Sequence, residues 1–349
     1  MNAEFIDALE EIEKEKGISK EIIFDALESA LISSYKKNFG SSQNVEVEID
    51  RETGRVRVIA KKIVVDEVED DLLEIDIEEA KKIDDIYQLG DIVIVEVTPK
   101  NFGRIAAQTA KQVVIQRIKD AERDVIYDEF INRENEIITG MIQRISKNNV
   151  YIDLGKTEGI LPPTEQIEGE VYNQGDRIKL IILEVKKTTK GPQIILSRSH
   201  PGLVKRLFEL EVPEIHEGVV DIYAISREAG SRTKIAVHSK DPNVDPVGAC
   251  VGFKGSRVKA IVEELNGEKI DIIIWSNNIE EFIANSLSPS KVVKVEVNER
   301  EKSALIIVPD YQLSLAIGKE GQNARLAAKL TNWKIDIKSE SQYDGELES

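Results

Sequence analysis

The chain has 349 residues, 41% of them hydrophobic, enough for two to four domains with cores of their own. One cysteine, Cys250, excludes an internal disulfide and a cysteine-based zinc cluster, and His200, His216 and His238 lack ligand spacing, so neither a metal nor a cofactor is expected. No apolar run approaches the ~20 residues of a membrane span, and the first residues, MNAEFIDALEEIEKEK, are acidic where a secretory signal would be basic; a cytoplasmic protein is expected.

The formal net charge of −17 is unevenly spread. Residues 1–134 hold 19 lysines and arginines against 32 carboxylates, residues 135–200 hold 9 against 8, and the remainder 19 against 24. An acidic chain of this kind still binds nucleic acid through near-neutral or locally basic modules, because binding follows the local field.

Phe5, Leu9 and Ile12 predict one helical face, and after Gly17 a second helix begins with Ser19 as N-cap and carries Ile22, Ile23, Ala26, Leu27, Ala30 and Leu31. Gly40-Ser41-Ser42 ends it. Val45-Glu46-Val47-Glu48-Ile49 alternates as a strand, turns through Glu52-Thr53-Gly54 and pairs with 55–65 as a hairpin. Residues 66–85 carry eleven acids against Lys81 and Lys82; they read either as a solvated face around a short helix or as a docking surface for a basic partner. A strand over 91–97 and a long helix over 104–133 complete an N-terminal α/β domain.

Residues 136–198 change character, with short β-rich runs at 137–145, 149–154, 158–161, 177–186 and 193–197 between turn residues. Five short strands in this span predict an OB barrel, a common oligonucleotide binder. Such barrels stack bases on aromatic rings, and Tyr151 is the one ring suitably placed, with Arg144, Lys147, Lys156 and Arg198 as phosphate contacts; the alternative is a structural spacer. The connector 200–217, with a helical run over 202–210, leads on without a flexible linker, so barrel and following units should pack as one rigid rod.

Residues 247–274 then return, in weaker copy, as 315–337. Gly252 and Gly255 match Gly318 and Gly321 at an offset of 66, and KIDI at 269–272 matches KIDI at 334–337 at 65. With strands predicted over 234–238 and 304–308, each copy reads strand, helix, G-x-x-G, helix, strand. That order is the unit of a KH module, whose loop clamps the backbone of about four nucleotides. Glycine lets the backbone approach a phosphate and adopt positive φ, and the loop opens a helix whose free N–H groups favour an anion. The RNA-binding candidates are Gly252, Phe253, Lys254, Gly255, Ser256 and Arg257 in the first copy, and Gly318, Lys319, Glu320, Gly321, Gln322, Asn323 and Arg325 in the second. The competing reading is a duplicated packing unit with no ligand. Cys250, ahead of the first loop, reads as a small buried apolar residue. The polar end, KSESQYDGELES, is expected to be disordered.

The expected architecture is multidomain α+β: an N-terminal α/β domain with a long connecting helix (1–134), an OB-type barrel (135–200), KH modules at 201–280 and 281–343, and a tail over 344–349. The barrel pattern TG-x9-V-x-I-D-LG-x3-G-x-LP, closing in LSRS, resembles the S-one type, first described as a repeat in the largest ribosomal protein of the small subunit. The whole order, and most specifically DPVGACVGFKGSRVKAIVEELNGEKIDI and LAIGKEGQNARLAAKLTNWKIDIK, resembles the NusA family of bacterial transcription elongation and termination factors. The resemblance implies a non-enzymatic, monomeric factor that binds core RNA polymerase through its N-terminal domain near the RNA exit channel. It further implies contact with nascent single-stranded RNA through barrel and KH modules, enhanced pausing and intrinsic termination, and antitermination with other Nus factors. The chain looks like the short form without C-terminal acidic repeats. Glu320 departs from the family, where a basic or small residue is common, and a carboxylate there should repel phosphate by ~1 kcal/mol. Two rivals remain at this stage, an RNA-processing enzyme or its subunit and a ribosome-associated RNA chaperone without polymerase contact. The first lacks G-x-x-x-x-G-K-[ST], H-E-x-x-H or a paired carboxylate cluster.

Overall fold

The structure is a computed structural model that describes residues 3–39 and 44–347. The chain divides into two compact units, Met1–Val125 and Ile126–Ser349. The first is built from α1 (Ala3–Lys16), α2 (Lys20–Phe39), β1 (Val45–Ile49), β2 (Val56–Val65), β3 (Glu74–Asp76), α3 (Ile77–Ile83), β4 (Ile92–Glu96) and the start of α4 (Phe102–Ile131). Strand β1 buries Val45, Val47 and Ile49 and exposes Glu46 and Glu48, the alternation its sequence predicts. Asp50 Oδ1 accepts the backbone N–H groups of Glu52 and Thr53, which shapes the hairpin turn into β2.

The core-facing stripe of α2 is rotated from the predicted one. Ile22 is 54% exposed, while Phe24 is fully buried with Ile23, Leu27 and Leu31 against Phe102, Ala106 and Ala110 of α4. The aromatic ring buries more apolar area than Ile22 would and therefore sets the rotation. The predicted stop at Gly40-Ser41-Ser42 lies outside the described residues. The acidic 66–85 stretch contains α3, capped by the Asp76 carboxylate on the Glu78 N–H, and β3, parallel to β2. Three residues of β3 are too short a run to show alternation.

The second unit begins in the last turns of α4, where Ile126, Tyr127 and Phe130 join the barrel core. The barrel consists of β5 (Ile137–Ser146), β6 (Asn149–Asp153), β7 (Glu158–Leu161), β8 (Arg177–Thr188) and β9 (Gly191–Ser197), closed in the order β5-β6-β7-β9-β8. All five predicted strands are present, and closure removes every free edge. Then come α5 (Pro201–Glu211) and α6 (Pro213–His216). They form part of the next module's core: Leu203, Val204, Leu207 and Phe208 pack with Ile235, Val237, Cys250 and Ile261, and with Ile181 of the barrel. Proline at the first position of each helix pre-sets φ for its start.

Next follow β10 (Val220–Glu228), β11 (Arg232–Ser239), α7 (Pro246–Val251), α8 (Ser256–Glu264) and β12 (Lys269–Ile274), then α9 (Ile279–Ser286). The repeat is β13 (Lys294–Asn298), β14 (Ser303–Val308), α10 (Leu313–Ile317), α11 (Gln322–Thr331) and β15 (Lys334–Ser339). Each copy is a three-stranded sheet whose first pair is antiparallel and whose second is parallel. The leading strands β10 and β13 were not legible in the repeat; a register shift between Ile222 and Ala224 interrupts the alternation of β10.

The expectation of a disordered end is corrected for the described residues. Helix α12 (Glu340–Leu347) follows β15 directly. Ser339 and Gln342 form a reciprocal capping box, the Ser339 N–H on Gln342 Oε1 at 3.0 Å and the Gln342 N–H on Ser339 Oγ at 3.4 Å. The Tyr343 hydroxyl donates to Glu296 at 2.7 Å, tying the helix to β13.

Candidate nucleic-acid interface

The two G-x-x-G loops are built alike. Asp245 and Pro246 start α7, the carboxylate accepting the Val247 N–H at 3.1 Å, and the helix stops at Gly252, φ 72° and ψ 175°. Lys254 (φ 51°, ψ 28°) and Gly255 (φ 80°, ψ 14°) are left-handed before α8 begins. In the second copy Gly318 is at 77° and 172°, Glu320 at 52° and 28°, and Gly321 at 75° and 14°. The middle residue thus takes a left-handed conformation in both, although one is a lysine and the other a glutamate.

The glycines have different roles. A Cβ on Gly318 would lie 2.8 Å from the Asn323 backbone nitrogen, and one on Gly252 2.7 Å from Arg257 Cγ, so the first glycine of each loop lets the next helix pack closely. A Cβ on Gly255 meets nothing nearer than 3.6 Å and one on Gly321 nothing nearer than 3.9 Å. All four glycines have positive φ, which favours glycine, most strictly for the first of each loop with ψ near 175°; the second has room for a Cβ.

The tips are solvent-facing. Phe253 is 81% exposed, the Lys254 ammonium lies 5.3 Å from its ring centroid, and Ser256, Lys319 and Glu320 are also exposed. Arg257 reaches back instead, donating to the Ala249 carbonyl at 2.6 Å and to Glu214 of α6 at 2.9 Å. Asn323, predicted as a contact, is 4% exposed, and its amide donates to the Leu287 and Ala316 carbonyls, each at 3.0 Å. It ties the preceding helix to the loop and is not at the surface. Gln322 and Arg325 are engaged across the module boundary. Gln322 donates to Glu228 at 2.9 Å and to Ser231 at 2.7 Å, and Arg325 to Glu228 at 2.6 and 3.1 Å. These donors, Arg325 foremost, hold the Glu228 carboxyl below its ordinary range.

An open groove of about 540 Å³ lies between Val247 of α7, Ile272 and Ile274 of β12, Asn285 of α9, and Ser288 and Lys291 just beyond that helix. β12 is an edge strand, and within the groove the Ile274 carbonyl accepts the Asn285 amide at 3.3 Å. A second cleft, of about 360 Å³, lies where Arg232 and Lys269 of the first module face Gly318 and Lys319 of the second. Neither groove was visible in the sequence, because each joins residues from separate elements.

In the barrel the predicted set divides. Arg144 lies over the Tyr151 ring at 3.6 Å and pairs with Glu158 at 2.8 Å; Lys156 pairs with Glu129 at 2.7 Å; Lys147, in a left-handed turn, is exposed. Arg198 is not a phosphate contact: its side chain is 1% exposed. It is held by Glu170, by Glu264 of α8 at 3.3 Å, and by the Lys179 and Glu264 carbonyls at 2.9 and 3.0 Å. It locks the barrel to the first KH module. Burial pushes the Cys250 thiol up to about 12, which keeps it protonated and unreactive. Among the described residues no three His, Cys, Asp or Glu side chains are grouped to hold a metal.

Comparison with known proteins accounts for these parts in order. Residues 4–124 match the NusA N-terminal domain, 132–199 the S1 RNA binding domain, 198–275 the NusA-like first KH domain and 279–345 the NusA-like second KH domain. The transcription termination/antitermination protein NusA of Halalkalibacterium halodurans is 64% identical over 342 residues, which cover 98% of this chain and 90% of that one. The protein of the same name from Bacillus subtilis is 64% identical over 341 residues, 98% and 92% of the two chains. That from Thermus thermophilus is 42% identical over 346 residues, 96% and 89%. With two matched G-x-x-G loops, a closed barrel and these relatives along nearly its whole length, the chain belongs to the NusA family of transcription termination/antitermination proteins.

Proposed function

We propose that this chain is a non-enzymatic transcription factor that binds core RNA polymerase through residues 1–134 and nascent single-stranded RNA through residues 135–343. It modulates pausing, intrinsic termination and, with other Nus factors, antitermination. The observation that carries the RNA half is the pair of matched loops, whose second glycines have no close neighbour and stand beside exposed Lys254 and Lys319. The acidic first unit carries the polymerase half, since its charge calls for a basic partner surface and a contact that weakens with salt. The protein acts in the cytoplasm as a monomer.

Because the groove along β12 accepts bases with free edges, the full chain should bind an unstructured strand more tightly than a perfect duplex of equal length. Equal affinity by fluorescence anisotropy would show that phosphate charge alone is sensed. Binding of the same chain to purified core polymerase tests the other half. RNA binding without polymerase binding would favour a ribosome-associated or RNA-processing role.

A further inference from the structure

The sheet of the first unit has two unlike faces. Val64 and Val93 lie on the face covered by α3, in a small core with Ile75 of the neighbouring strand β3 and Ala80. On the other face the antiparallel register sets Ile63 opposite Ile92 and Lys61 opposite Ile94. Side chains alternate along a strand and paired residues share a side, so these three isoleucines lie together. They are 48%, 62% and 54% exposed. The segment leading into β4 also carries exposed apolar side chains, Ile86 at 73% and Leu89 at 58%. Large apolar side chains grouped in this way mark an interaction surface.

Charge narrows the partner. Residues 66–85 carry eleven carboxylates, and among the described residues none of them forms an ion pair, whereas Arg55, Arg57 and Lys61 of the sheet pair with Glu96, Glu48 and Glu46. A second copy of the same surface would bring like charges together, and RNA would meet repulsion from the carboxylates.

We propose that the Ile63–Ile92–Ile94 face docks a protein segment that is apolar along one side and basic at its edges, presented by the transcription machinery. The isoleucines supply the burial, and the acid that shares their side of the sheet, Glu74 opposite Ile63, selects and orients the segment. This rests on the polymerase-binding reading above and assigns that binding to one surface.

The test uses the full chain and purified core RNA polymerase in a salt series, with Ile92→Thr/Ile94→Thr as the main variant, since threonine retains the β-branch that suits a strand. Ile63→Thr, on the partner strand of the same face, is the second variant if the first is unfolded by circular dichroism. Polymerase affinity should fall about tenfold or more in either variant, as for removal of buried interface anchors, with RNA affinity unchanged. Glu74→Gln, at the position paired with Ile63 and so on the same side of the sheet, should flatten the salt dependence of polymerase binding. A parent that binds polymerase while both isoleucine variants bind equally well overturns this assignment alone. A parent that does not bind polymerase overturns the function proposed above and the partner assigned here. Sedimentation that shows a parental dimer lost in the variants, with polymerase affinity intact, makes the face a self-contact and also overturns the proposal.

Discussion

Replacing Phe253 and Lys254 by aspartates tests the first loop most directly. Phe253 is 81% exposed, so its loss removes little buried surface, and Lys254 sits at φ 51°, a region that aspartate tolerates better than most residues. Both glycines stay, and the melting temperature should remain within about 2 °C of the parent. The substitution changes the loop charge by three units. A unit charge ~6 Å from a phosphate is worth roughly 0.7 kcal/mol in water, so three give about 2 kcal/mol, or ~30-fold in affinity at low salt. Near physiological ionic strength the Debye length of about 8 Å roughly halves this. Losing one lysine–phosphate contact on a single strand should also lower the log–log salt slope by about 0.7. Fluorescence anisotropy of a labelled unstructured RNA on the full chain, from low to moderate salt, reads both quantities. A folded variant with parental affinity and slope would show that the first loop is not the RNA clamp.

Three further outcomes follow from the same geometry. Glu320 has the backbone conformation that Lys254 adopts, so Glu320→Lys should be accommodated, strengthen RNA binding and steepen the salt slope by up to about one unit; a neutral result would place the second loop away from the phosphate path. Arg198→Ala leaves the buried Glu170 carboxylate without its cation and Glu264 with Lys179 alone, so denaturant melts should show a loss of about 3 kcal/mol or more; a near-neutral variant would refute the lock between barrel and KH module. Burial pushes the Glu268 carboxyl up, but donation by Arg227, Thr233 and the Gly230 N–H outweighs it and holds the group below its ordinary 4.5. Its folded pKa being depressed, the stability it confers is present above about 4.5 and is lost as pH falls through the folded value. Glu268→Gln should therefore destabilise at neutral pH and flatten the acid limb of the stability curve. An unchanged acid limb would contradict the reading.

Much of this was legible because repeats and alternation are local. The duplicated glycines fixed both loops, Val45 to Ile49 showed its pleat, and the barrel strands were separated by turn residues such as Gly155 and Pro162. What the sequence hid depends on contacts between distant residues. Arg198 looks like a surface cation until Glu170 and Glu264 close over it, and Asn323 looks like an RNA contact until its amide is seen bonded to Leu287 and Ala316. Helix α5 reads as a connector because its apolar stripe, Leu203 to Phe208, has its partners on strands and helices more than twenty residues on. The final helix was the exception. Its S-x-x-Q capping signal, Ser339 and Gln342, is local and was outweighed by the acidic composition around it.

Glu228 is one carboxylate of the first KH module, yet it receives both Gln322 and Arg325 from the helix that opens at the second module's loop. The protein rather than the RNA therefore sets the distance between the two clamps. A strand gripped at one loop presents its next segment to the other at an effective concentration governed by how many nucleotides lie between, too few failing to span and too many diluting the second contact. If both loops grip one strand, as proposed, the pair would work as a ruler that distinguishes transcripts by the spacing of their accessible segments, a property that neither loop possesses alone.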